Sequence, residues 1–157
     1  MSTETPIRQI EGEMTYQEYR EMIDALLKEG KTTGENQSEA LFNYAKMNAT
    51  RMRRIDKHVE LNDELRRIAE NLKSAQKWTV ITEGWCGDAA QIVPVFHKFA
   101  EAAGDKVELS FVLRDLHTDL IDQYLTNGGR SIPKLIVKDA ESGEELFNWG
   151  PRPAEAQ

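Results

Sequence analysis

Apolar positions along this chain follow two rhythms. The first half steps by three and four residues, the period of a helix face. Tyr19, Met22, Ile23, Leu26 and Leu27 share one such face. Just ahead of them, Thr15-Tyr16-Gln17-Glu18 has the pattern of a capping box, in which Thr15 and Glu18 satisfy each other's amides. Gly30 is placed to end that helix. A longer pattern runs through Leu41, Tyr44, Ala45, Asn48, Met52, Ile55 and Val59, and helical spacing assigns Tyr16, Tyr19, Phe42 and Tyr44 to the core. Asn62, a good N-cap, opens a third helix expected to bury Leu65, Ile68, Ala69 and Leu72.

The rhythm changes at Trp78. Trp78 to Thr82 is short and β-branched, and Val107 to Leu113 alternates, so both read as strands. Helical spacing returns over Asp88–Ala103, closed by Gly104, and over Leu116–Leu125, stopped by Asn127-Gly128-Gly129. Lys134 to Lys138 predicts a strand, Asp139 to Gly143 a turn and Glu144 to Trp149 its hairpin partner. The order β-α-β-α-β-β requires parallel neighbours across the crossover and antiparallel ones in the hairpin: an α/β fold on a mixed sheet, preceded by helices. A last helix is expected to begin at Pro151, and the chain stops at Gln157 before completing it.

Composition narrows the function classes. The chain has 157 residues, ordinary for one domain, which is how residues 1–157 are read: a helical region to about 75, then an α/β core. A net charge of −7 gives no electrostatic reason to seek nucleic acid or anionic membrane. No apolar run approaches the ~18 residues of a membrane span. Met1 to Pro6 has neither the basic nor the apolar part of a secretory leader, so a cytoplasmic location is expected. The basic stretch Arg51, Arg53, Arg54, Lys57 is interleaved with acids and reads as a solvated helix face.

Cys86 is the only cysteine, which removes internal disulfides and thiolate-rich zinc sites. It sits in Trp85-Cys86-Gly87-Asp88-Ala89, between strand and helix. At a helix N-terminus a sulfur meets amides without intrahelical partners and the positive end of the dipole, both favouring thiolate. Such placement brings a thiol from about 8.5 down to about 3.5–7.5. Gly87 is read as allowing close approach to the sulfur, and Trp85 as an apolar plate beside it. Asp88 opposes: its carboxylate repels a thiolate and competes for the same amides. Two readings of Asp88 stand, a helix-stabilising charge or a proton carrier for Cys86. His58, His97 and His117 lie on separate elements, so a cysteine–histidine dyad is not expected.

In this region the chain resembles the thioredoxin-like family. Trp85-Cys86-Gly87 follows a strand as the family's active-site entry does. Pro94 falls within the next helix, where thioredoxins carry a kinking proline. Ser131-Ile132-Pro133 precedes a strand, as the family's cis-proline does, and Asn148-Trp149-Gly150 ends the last one. The likeness covers roughly residues 78–157, and the helical first half looks like the extension of a bacterial subgroup. It implies a thiol–disulfide site with Cys86 and Asp88 as catalytic residues, and Trp85, Gly87, Ser131, Ile132 and Pro133 as substrate-binding ones. It also implies a cis Pro133 and strand addition of an extended substrate along Ile132. The implied partner is a protein or a low-molecular-weight thiol or disulfide, with no cofactor.

Two departures bear on mechanism. Ala89 stands where a thioredoxin has its second cysteine, and Val80 where it has the buried acid that assists it. Cys86 could attack a disulfide, but release would need an external thiol. The rival reading is a redox-inactive thioredoxin-fold module that binds protein or peptide partners.

Overall fold

The computed structural model describes residues 10–152. Three helices come first: α1 (Tyr16–Lys28), α2 (Glu39–His58) and α3 (Asp63–Glu70). Then come β1 (Gln76–Thr82), α4 (Gly87–Ala103), β2 (Val107–Leu113), α5 (Thr118–Ile121), β3 (Lys134–Asp139) and β4 (Glu145–Trp149). The strands form one sheet in the order β2-β1-β3-β4. β1 and β2 pair parallel, β1 and β3 antiparallel, and β3 and β4 antiparallel. This is the mixed sheet that the element order requires.

Local chemistry explains the helix starts. Thr15 accepts from the Glu18 amide at 3.1 Å while Glu18 accepts from the Thr15 amide at 2.9 Å, a complete capping box. Ser38 and Asn62 cap α2 and α3 through the Leu41 and Leu65 amides. Each such cap contributes about 1 kcal/mol.

Packing departs from the periodic pattern in three places. α2 turns its small residues inward, with Ala45, Ala49 and Met52 buried, which leaves Tyr44 54% exposed on another face. On α3 only Ala69 is buried, and Leu65 and Ile68 are exposed: an eight-residue helix presents one narrow stripe to α4. The segment expected to be helical over Leu116–Leu125 is instead a 3-10 turn at Arg114–Leu116 followed by the four residues of α5. His117 breaks the run with φ −135° and ψ 54°, and the chain leaves α5 on i→i−3 bonds at Gln123 and Tyr124. Of the last helix expected from Pro151, Pro151 and Arg152 form a bend, and residues 153–157 lie outside the described residues.

One hydrophobic cluster joins both halves. Tyr16, Tyr19 and Ile23 of α1 pack with Val80, Ile81, Phe111 and Val93. Tyr19 stacks on Phe111 with ring centroids 5.2 Å apart, and Trp78 stacks on Phe99 of α4 at 5.1 Å. The residues before α1 join the sheet too, through reciprocal 2.8 Å backbone bonds between Met14 and Phe111. β1 is buried along nearly its whole length, and its C-terminal end delivers the chain to the head of α4.

Candidate functional site

β1 ends at Thr82, and four residues later Cys86 is the N-cap of α4. The turn between them is clamped from the helical half. The Gly84 amide donates to Thr33 Oγ1 at 2.8 Å, and the Gly84 carbonyl accepts from Asn48 Nδ2 at 3.3 Å. The Cys86 amide donates to the Glu83 carbonyl at 3.1 Å, closing the turn.

The sulfur sits at the floor of a cleft with the residue 8% exposed. Its thiol donates to the Ile132 carbonyl at 3.4 Å. Burial pushes the Cys86 pKa up; the Ala89 amide pulls it down, the Asp88 carboxylate raises it, and the Asp88 amide and Arg114 lower it. Those amides face the sulfur, yet neither closes a capping hydrogen bond. Desolvation therefore outweighs the helix terminus, which corrects the expectation of an acidified thiol. The sequence located the favourable donors but not the depth of the sulfur.

The other expected residues are brought together around it. Trp85 lies beneath the Arg114 guanidinium, 5.0 Å from Cζ to the ring centroid. Asp88 pairs with Arg152 at 3.1 Å. The cleft is ≈ 670 Å³, with Ser131 and Ile132 on its far wall and Pro151 and Arg152 beside them. The Ile132–Pro133 peptide bond is cis, and Pro133 is buried behind Ile132 rather than lining the cleft. Gly87 lines an adjoining groove with Leu41 and Tyr44. A Cβ on Gly87 would meet nothing within 4 Å, so free space there does not depend on glycine. Gly150 is different: with φ +122°, its Cβ would lie 2.1 Å from the Pro133 oxygen, and only glycine permits that approach.

One ionisable residue of the site escaped the sequence reading. Glu83, three residues ahead of Cys86, is 0% exposed. Its Oε2 accepts from the Asp115 amide at 3.0 Å, and its Oε1 has no hydrogen-bond partner among the described residues. Burial raises its pKa; the Thr33 hydroxyl and the Asp115 amide pull it down, the Asp115 carboxylate raises it and Arg114 lowers it. Gly34, at φ +88°, closes over this pair: a Cβ there would sit 2.7 Å from Asp115 Oδ2 and 3.0 Å from Glu83 Oε1. The only sequence signal was a carboxylate ending a β-branched run directly before Trp85. The histidines stay apart from the thiol's partners: His97 stacks on Tyr16 at 4.3 Å and pairs with Glu101.

A mixed sheet, a cysteine heading the helix after its central strand, and a cis X-Pro bond across from the sulfur define a thioredoxin-like protein. A family model described as thioredoxin matches residues 34–157, and the chain belongs to that family. It is 33% identical over 69 residues to a thioredoxin from Alicyclobacillus acidocaldarius, an alignment covering 43% of this chain and 63% of that protein. The chain thus matches less than two thirds of that relative's length. In fold it is similar to a crystal structure of a protein of unknown function from Pseudomonas aeruginosa: TM-score 0.59 at 17% identity, over 90% of this chain and 80% of that one. It is also similar to an HIV epitope scaffold, with TM-score 0.56 at 17% identity over 83% and 77% of the two chains. No helix among the described residues is long and apolar enough to cross a membrane.

Proposed function

We propose that the chain is a monothiol exchange protein in which Cys86 attacks a disulfide and an external thiol resolves the adduct. The observation that carries this reading is the position of Sγ: at the head of α4, on the floor of an open cleft, 3.4 Å from the Ile132 carbonyl. With Ala89 at the second position of the motif, the mixed disulfide has no neighbouring thiol to release it. The partner is a protein or small disulfide, Trp85, Ser131 and Ile132 form its contact surface, and Asp88 holds Arg152 beside the sulfur. Residues 1–157 act as one unit whose helical part braces the Cys86 turn. A lone thiol regenerated by small thiols suits a reducing compartment such as the cytoplasm.

A neutral probe tests the reading. After incubation with hydroxyethyl disulfide, intact mass is expected to show one adduct per chain, absent in Cys86→Ser and removed by dithiothreitol. An unmodified chain after prolonged exposure would sink it. A second reading, a redox-inactive binding module, draws support from the burial that raises the thiol's pKa and from the thiol's bond to Ile132, both of which favour the uncharged form. Unmodified Cys86 together with peptide binding that survives Cys86→Ser is the result that reading expects.

A further inference from the structure

The cleft beside Cys86 carries the charge opposite to the chain's own. Three guanidinium groups, Arg114, Arg130 and Arg152, line it against a single carboxylate, Asp88, in a chain of net charge −7. Each is held in place. Arg114 lies over Trp85, pairs through Nε with Asp115 at 3.0 Å and donates Nη1 to the Arg130 carbonyl at 3.2 Å. Arg130 makes a two-pronged pair with Asp122 at 2.7 and 2.9 Å, and Arg152 pairs with Asp88 at 3.1 Å. Asp115 and Asp122 fix their arginines without lining the cleft themselves.

The Arg130 and Arg152 pairs are largely solvent-exposed, with arginine side chains 48% and 58% exposed. Exposed pairs contribute little and are screened, so an incoming carboxylate can share these guanidinium groups without a large loss. Ser131, Thr126 and Asn127 add neutral polar groups to the same walls. A cleft of ≈ 670 Å³ falls within the range that takes small molecules.

We propose that this cleft selects small disulfides bearing carboxylates, an inference that rests on the exchange role proposed for Cys86. The cleft holds the ligand's carboxylates at Arg130 and Arg152 and places one of its sulfurs over Sγ. The Cys86 thiolate attacks that sulfur, forming the new S–S bond. The old S–S bond breaks, and the departing thiolate keeps its electron pair and takes up the proton Cys86 released. The focused positive field raises the encounter rate of anions and lowers that of cations.

The test measures adduct formation by intact mass with three probes: oxidised glutathione (anionic), hydroxyethyl disulfide (neutral) and cystamine (cationic). Each rate is divided by that of 2-mercaptoethanol with the same probe. At about 20 mM salt the normalised glutathione rate is expected to exceed the cystamine rate by about tenfold or more. The ratio should shrink several-fold at about 0.5 M salt and approach unity in the double variant Arg130→Gln/Arg152→Gln. The salt series on the wild-type chain decides the matter even if the double variant folds poorly. Adducts that form without regard to probe charge, or a ratio indifferent to salt, overturn the selectivity and leave thiol exchange standing. No adduct with any probe overturns both.

Discussion

Cys86 is pulled in two directions by groups only a few residues apart. Burial and the Asp88 carboxylate favour the thiol, whereas the Ala89 and Asp88 amides and Arg114 favour the thiolate, and burial is the largest of these. The sulfur is therefore a slow nucleophile at neutral pH until a ligand changes its surroundings. Alkylation by iodoacetamide followed against pH should give a midpoint above the ~8.5 of a free thiol. Asp88→Asn removes the repelling carboxylate but keeps the backbone amide, so the midpoint should fall and the rate at pH 7.5 should rise. A midpoint that does not move would mean that Asp88 acts on Cys86 only through Arg152. The sequence showed the motif and the sign of the Asp88 effect, because both follow from spacing along one chain. It did not show how deep the sulfur lies, since that depends on Ile132, which is 46 residues away.

The turn from β1 to α4 is the element on which the site depends. Its strands and caps were legible because they are local: the Thr15 box, the Ser38 and Asn62 caps, and the β-branched run from Trp78. Side-chain facing was less legible, since periodicity marks an apolar stripe without saying how wide the opposing surface is. So Tyr44 and Ile68 face outward while Ala45 and Ala69 are buried. Glu83 was missed for the same reason: only the loop around Gly34, brought across from the helical half, makes its position buried. Its folded-state pKa is raised above the unfolded value of about 4.3. The folded state thus holds this proton more tightly, and the stability linked to it is full below about pH 4 and declines as pH rises through the folded value. Glu83→Gln keeps an oxygen for the Asp115 amide and removes the charge. Relative to wild type, its urea midpoint should gain steadily from pH 4 to pH 8. A difference that stays flat across that range would show that Glu83 is solvated or ion-paired in solution.

At the scale of the whole molecule, the segment before α1 is tied to the sheet by a buried charge cluster. Lys77, on β1, places Nζ 3.2 Å from Glu13 Oε1, 2.6 Å from Ser110 Oγ and 3.5 Å from Glu108 Oε1. Glu13 and Lys77 are both buried, and the adjacent Met14 bonds to Phe111 on β2. A lysine within a strand whose other residues are mostly apolar is costly to bury alone, and the glutamate beside Met14 is what makes it tolerable. Because strand pairing and ion pairing act on neighbouring residues, losing one should loosen the other. Lys77→Met leaves the Glu13 carboxylate without its cation and is expected to lower unfolding free energy by about 3–5 kcal/mol. Adding Glu13→Leu removes the stranded charge, so the double variant should recover most of that loss. Urea titrations of the two single variants and the double variant measure the coupling directly. Additive losses would show that the pair holds nothing together, and that the residues before α1 are anchored to β2 by their backbone alone.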